Sequence, residues 1–212
     1  MKLIIYSGGL DSTVLLHQYR KDIALAVSFD YGSKHNEREI LFAKKNCEKL
    51  DIPHIITPLP FFYYFKSDLL KKGGKIPTGN YSERNMKSTV VPFRNGIMLS
   101  IAAGIAESNA MNGVLIANHS GDHSIYPDCR PEFIHAIDEA VRLGTYAGLR
   151  VLSPYAEMTK RDIALIGKGY GVNFSDTYSC YNGGELHCGV CATCIERKEA
   201  LMGFDTTIYE QP

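Results

Sequence analysis

The chain of 212 residues carries 23 Lys and Arg against 23 Asp and Glu, and 45% of it is hydrophobic. That balance gives no global basic field to recruit nucleic acid, so no direct nucleic-acid binding is expected, and the length suits one domain or one domain with a small appendage. No apolar run approaches a membrane span, and Met1-Lys2 leads at once into a short strand with no room for a signal peptide, so the expectation is a cytoplasmic protein working on small molecules.

The run Leu3-Ile4-Ile5-Tyr6 is too short for a helix and reads as a buried strand, and helical character runs from Asp11 to Arg20. Between them, Ser7-Gly8-Gly9-Leu10-Asp11-Ser12-Thr13 is a strand-to-helix turn. Its paired glycines let backbone N–H groups approach a ligand, and Ser7, Ser12 and Thr13 add hydroxyls at a helix N-terminus, which makes an anion cradle. The Gly-Lys-Ser/Thr ending of the Walker loop is missing, so this is a different phosphate device. Asp11, an anion among phosphate donors, suits a Mg²⁺ ion held against phosphate oxygens. The turn resembles the SGGxDS loop of the N-type ATP pyrophosphatases, which split ATP to AMP and pyrophosphate.

A second buried strand, Ile23 to Phe29, ends in Asp30-Tyr31-Gly32. In an open parallel sheet such strand ends face one crevice, here the one that Ser7 faces, and a nucleoside suits it. The helix from about Asn36 to Leu50 carries Ile40, Leu41, Ala43, Cys47 and Leu50 at helical spacing, with Cys47 read as core and with His35 and Arg38 at its start. A third strand, His54 to Thr57, completes a βαβαβ unit, which argues a parallel sheet with helices on both faces. From Leu59 to Val91 the rhythm breaks: Phe61-Phe62-Tyr63-Tyr64-Phe65 is followed by Gly73-Gly74, Pro77, Gly79 and Asn80. Long irregular stretches are commonly lids or binding loops, and the aromatics either stack a base or pack the core. Arg94 and Asn95 precede a helix from about Gly96 to Ala110, at the end that attracts anions, where Arg94 offers a fork of donors to phosphate or carboxylate.

The strand Gly113 to Ala117 opens onto a polar loop, Asn118 to Arg130. His119, Asp122 and His123 suit either a metal ion or hydrogen bonds to a polar heterocycle, and Cys129 has no evident base to make it a nucleophile. A helix from about Pro131 to Leu143, a last strand Leu149 to Leu152 and a helix beginning near Thr159 follow, and Lys160 at that helix start can supply charge to a leaving pyrophosphate. Cys180-x7-Cys188-x2-Cys191-x2-Cys194 matches tetrahedral zinc with no open position, an architectural site; an iron–sulfur cluster and a redox C-x-x-C pair are the competing chemistries. The expected division is a nucleotide-binding domain over 1–172 and a metal-binding segment over 173–212. That segment, with a final helix from Cys194 to Leu201, should close one side of the crevice.

Taken in order, SGGLDST, SFDYGSKHNEREI, VVPFRNGIMLS, IYPDCRPEF, SPYAEMTKRDI and SCYNGGELHCGVCATCIERKEAL resemble the QueC family over nearly all of residues 2–205. The resemblance implies an α/β fold of the adenine nucleotide α-hydrolase type, a modified flavodoxin-like parallel sheet with helices on both faces and a C-terminal zinc appendage, in a homodimer. It implies a reaction in which 7-carboxy-7-deazaguanine, ATP and ammonia pass through an acyl adenylate and an amide to the nitrile 7-cyano-7-deazaguanine. It implies ATP on Ser7, Gly8, Gly9, Leu10, Asp11, Ser12, Thr13, Phe29, Asp30, Tyr31, Arg94 and Asn95, with Asp11, Ser12, Arg94 and Lys160 as the catalytic group and Asp11 beside Mg²⁺. His35, Asp122, Tyr126, Asp128 and Arg130 are then expected around the deazapurine, and Cys180, Cys188, Cys191 and Cys194 on one Zn²⁺. Many relatives carry Gly where this chain has Ile125, which alters the loop expected beside the deazapurine. Two related enzymes share the first half-reaction: one that stops at the amide, and one that passes the deazaguanine acyl group to a protein amine. A zinc-stapled nucleotide sensor is the non-enzyme reading.

Overall fold

The structure, a computed structural model, describes residues 1–79 and 86–211; Asn80 lies outside the described residues. Among these, five parallel strands form one sheet: β1 (Lys2–Ile5), β2 (Ile23–Asp30), β3 (His54–Pro58), β4 (Gly113–Leu115) and β5 (Arg150–Leu152), in the order β3-β2-β1-β4-β5. The order reverses at β1, whose neighbours are β2 and β4. A crevice opens at the carboxyl ends of strands where the order reverses, so the loops after β1 and β4 face each other across it.

Strand periodicity decides which helices cover which face. Leu3, Val27, Phe29, Val114 and Val151 point into one core, which is filled from α3 (Arg94–Ser108) by Leu99, Ala102 and Ala106 and from α4 (Pro131–Gly144) by Ile134 and Val141. Ile4, Tyr6, Ala26 and Leu115 point the other way. They meet Val14 and Leu15 of α1 (Leu10–Gln18), Ala43 and Cys47 of α2 (Asn36–Leu50), and Ile163 and Ala164 of α5 (Lys160–Gly169). The small residues of α3 let it lie close on β1 and β4.

Three element boundaries and one buried face are among the differences from the sequence reading. Arg94 and Asn95 lie inside the first turn of α3, because the Asp128 carboxylate accepts the Asn95 N–H at 2.7 Å and so holds that turn. The last helix, α6 (Ala192–Ala200), starts two residues before Cys194, with Cys191 at its N-cap. β4 ends at Leu115, although the Ile116 N–H still donates to the Leu152 carbonyl at 3.0 Å. The buried stripe of α2 contains Asn36 and Asn46, whereas Leu41 is 53% exposed. The Asn36 side chain accepts the N–H groups of Tyr31 and Ser33 and donates to the Phe29 carbonyl, which closes the turn between β2 and α2.

The aromatic run packs more than it exposes at the crevice. Phe62 is buried against Tyr31 and Phe65, while Tyr63 and Tyr64 face solvent. Behind the sheet ends, residues after 173 are fastened by Arg197, a fully buried side chain. Its guanidinium donates to the hydroxyls of Thr177, Ser179 and Thr207 and to the Phe174 carbonyl. Asp176 adds ion pairs to Lys45 and Lys49 of α2.

Candidate functional site

The turn after β1 lies directly on α2. Gly8 has φ +82°, and a Cβ there would fall 2.5 Å from the Glu39 carbonyl oxygen and 2.7 Å from the Ala43 nitrogen, so only glycine fits. Its carbonyl accepts the Tyr178 N–H at 3.0 Å, a direct tie to the cysteine segment. Gly9 opens α1 without a side-chain cap, which leaves first-turn N–H groups at the positive end of the helix for an anion. Ser7 Oγ accepts the Gly9 N–H at 3.1 Å and lies 3.0 Å from Ser12 Oγ. Leu10 and Thr13 turn inward instead: Leu10 is core, and the Thr13 hydroxyl bonds Tyr6 at 3.1 Å. Asp11 Oδ1 is buried with no hydrogen-bond partner, an orphaned carboxylate oxygen of the kind a hard cation would satisfy.

Across from this turn, the crevice is lined by Phe29 of β2 and Tyr31 just after it, His35 at the N-cap of α2 and Glu39 within α2, Arg94 and Asn95 from α3, and Asn118, Asp122, Tyr126 and Cys129 from the polar loop. Tyr181, the neighbour of Cys180, closes the remaining side. Arg94 Nη1 donates to Tyr31 Oη at 3.3 Å, and the guanidinium lies 5.8 Å from the Tyr31 ring and 5.9 Å from that of Tyr126. Burial opposes its charge, but the oxygens of Tyr31, Tyr126 and Asp128 hold it above its ordinary range. His35 Nε2 lies 3.3 Å from Tyr31 Oη and 3.7 Å from Glu39 Oε2. Burial and Arg94 push the imidazole down to about 3, so it is neutral, and burial pushes the Glu39 carboxyl up to about 8 against the pull of Arg94. Tyr126 Oη is 3.1 Å from Tyr181 Oη. Burial pushes the Cys129 thiol up, and its sulfur meets the Asn95 amide at 3.1 Å, an arrangement that suits packing rather than nucleophilic attack.

Not every expected residue faces this space. Asp30 lies outside the crevice lining: its carboxylate accepts the Gly32 N–H, and it borders a second cavity walled by Pro58, Phe62 and Tyr63. Asp128 is occupied at the start of α3, and Arg130 Nε donates to the His123 carbonyl at 2.9 Å. Lys160 stands behind Asp11 instead of lining the crevice. Its Nζ is 3.5 Å from Asp11 Oδ2 and 2.6 Å from Glu196 Oε2. Burial works against the ammonium, and the carboxylates of Asp11, Glu196 and Asp122 more than offset it, so its pKa is raised. His119, 1% exposed, accepts the Gly121 N–H on Nδ1. Its Nε2 has no hydrogen-bond partner and is 3.7 to 3.9 Å from carboxylate oxygens of Asp11, Asp122 and Glu196.

Glu39, Asn118, Tyr181 and Glu196 escaped the sequence reading. Glu39 sits one turn after His35, a spacing that puts both on one helix face, and Asn118 opens the polar loop at a strand end, so both had a signal; Tyr181 and Glu196 have none outside the fold.

Cys180, Cys188, Cys191 and Cys194 are all buried, with their four sulfurs within 4.8 Å of one another. Sulfur pairs 188–194 and 191–180 are 4.0 Å apart. Four thiolates each about 2.3 Å from one tetrahedral ion would lie about 3.8 Å apart, so the cluster fits a metal ion. Among the described residues this is the one group of three or more such ligands so placed, and His119, Asp122 and His123 are not.

Residues 1–205 match the family model described as queuosine biosynthesis protein QueC. The chain belongs to the QueC family. A relative from Porphyromonas gingivalis (strain ATCC 33277) is 59% identical over 98% of this chain and 96% of that protein, and is named 7-cyano-7-deazaguanine synthase. Relatives of the same name from Desulfotalea psychrophila and Rhizobium johnstonii are 57% and 44% identical, each over 98% of this chain and over 97% and 91% of theirs. Among solved structures, the NMN synthetase from Francisella tularensis aligns over 97% of this QueC-family chain and 78% of its own, with a TM-score of 0.50 at 14% identity. That likeness speaks for the fold alone.

Proposed function

We infer that this chain is a 7-cyano-7-deazaguanine synthase acting in queuosine biosynthesis. The observation that carries the reading, beside family membership, is the uncapped helix start after β1 facing Arg94 and the polar loop across one crevice. In this reading ATP lies with its phosphates on Ser7 to Thr13, and the substrate's own carboxylate attacks the α-phosphate. The P–O bond to pyrophosphate breaks and an acyl adenylate forms. Ammonia then displaces AMP to leave the amide, whose oxygen attacks the α-phosphate of a second ATP and expels a second pyrophosphate; loss of AMP and two protons from the adenylated amide gives the nitrile.

No protein nucleophile is required, so catalysis rests on positioning and charge. Asp11 Oδ1 is the atom available for Mg²⁺, which neutralises phosphate charge when bound. Lys160 supplies positive charge to the phosphate loop from behind Asp11, Arg94 a forked donor to carboxylate or phosphate, and Ser12 a hydroxyl to phosphate. His35, Asp122 and Tyr126 border the space left for the deazapurine. We assign Zn²⁺ to the four cysteines, as the ion that folds residues 173–212 onto the nucleotide-binding body of 1–172. Ammonia as nitrogen donor, a homodimer and a cytoplasmic setting belong to the same reading.

The test is mass spectrometry of 7-carboxy-7-deazaguanine incubated with the protein, MgATP and ammonium. The expected outcome is the nitrile with two AMP per product. Amide alone would place the second adenylation outside this chain's capability and direct attention to the loop holding Ile125, and a deazaguanine mass on protein without ammonium would support acyl transfer instead.

A further inference from the structure

We propose that Glu196 is a positioning residue: from the metal-bearing helix it holds the Lys160 ammonium beside Asp11 and so ties the phosphate loop to the four-cysteine segment. The proposal rests on the reading that ATP phosphates lie on that loop.

One oxygen of Glu196 is hydrogen-bonded and the other faces His119. Oε2 accepts from Lys160 Nζ at 2.6 Å, the shortest contact that lysine makes, and Oε1 lies 3.9 Å from His119 Nε2. Gly121 makes room for this arrangement. A Cβ there would fall 2.8 Å from His119 Cε1 and 3.1 Å from Glu196 Oε1. The Lys160 and Glu196 side chains are 12% and 21% exposed, so the pair is largely shielded, and removing one partner leaves the other poorly compensated. Asp11 is the weaker partner at 3.5 Å, and it is also the group suited to a cation. When Asp11 turns to a cation, Glu196 is the counter-charge that stays with Lys160. A lysine on a flexible four-carbon stem has no fixed direction without one. Glu196 is itself placed by the metal cluster, two residues after Cys194 on a helix capped by Cys191.

The experiment compares Glu196→Gln and Glu196→Asp with the unaltered protein in three measurements: bound metal, pyrophosphate release with MgATP and 7-carboxy-7-deazaguanine, and labelling of Lys160 by an amine-reactive ester without substrates. Glu196→Gln should keep its metal, lose at least ~10-fold in kcat with little change in KM for the deazapurine, and label faster at Lys160. Glu196→Asp should recover part of the rate. Unchanged kcat and labelling in Glu196→Gln would overturn the proposal, as would a loss of rate that follows loss of metal. An unaltered protein that releases no pyrophosphate would instead overturn the ATP reading, and the labelling comparison, which needs no turnover, would still decide whether Glu196 holds Lys160.

Discussion

Two titratable side chains in the crevice, the half-buried Glu39 and the buried His35, are kept neutral by their surroundings, and this has consequences for stability. An unfolded Glu39 ionises near 4.5, whereas the folded chain keeps its proton until about 8. Between those values the unfolded chain binds fewer protons, so stability falls as pH rises, each unit of separation being worth about 1.4 kcal/mol. His35 acts on the acid side. Its unfolded imidazole takes a proton below about 6.5 while the folded one stays neutral to about 3, so stability falls as pH drops through that window. Glu39→Gln removes the first effect and keeps the second. Thermal unfolding followed by circular dichroism should show the variant gaining on the unaltered chain from pH 4.5 to 8 and converging with it below 4.5; parallel curves would mean that Glu39 is ionised in the folded protein.

The β1–α1 turn was legible because its signals are local: an apolar run sets the strand, two glycines the turn, and hydroxyl residues the helix start. What local sequence does not say is why the first glycine is needed, since the cause lies on α2, more than thirty residues later. Gly8→Ala forces its Cβ against the Glu39 carbonyl and the Ala43 nitrogen in a left-handed conformation. We expect about 2–4 kcal/mol of destabilisation with loss of pyrophosphate release, measured by denaturant titration and a phosphate-coupled assay. A variant as stable as the parent would show that the loop and α2 separate at little cost. The start of α3 shows the opposite balance: Arg94 was legible as an anion-seeking residue, but Asp128, expected at the substrate, is spent on holding the helix turn.

Over the whole molecule the cysteine cluster is the fastening that local forces do not replace. Among the described residues, those after 173 form only short helical pieces, and the buried Arg197 guanidinium donates to three hydroxyls and one carbonyl. Metal binding supplies folding free energy to such a segment. Cys191→Ser should therefore lose the ion, by elemental analysis, and lower Tm by roughly 10 °C at this chain length; an active, metal-free protein of unchanged Tm would contradict the architectural role. The residues alone determined the parallel α/β class, the glycine-rich turn into a helix start, the grouping of four cysteines and the family, because each is written in short-range spacing. Tertiary structure decided which face of each element meets the crevice. It drew Asp128 and Asp30 away from it, brought in Glu39 and Tyr181, and set Glu196 on Lys160 across 36 residues of chain. Such contacts arise from strand order and helix packing, which spacing along one segment does not encode.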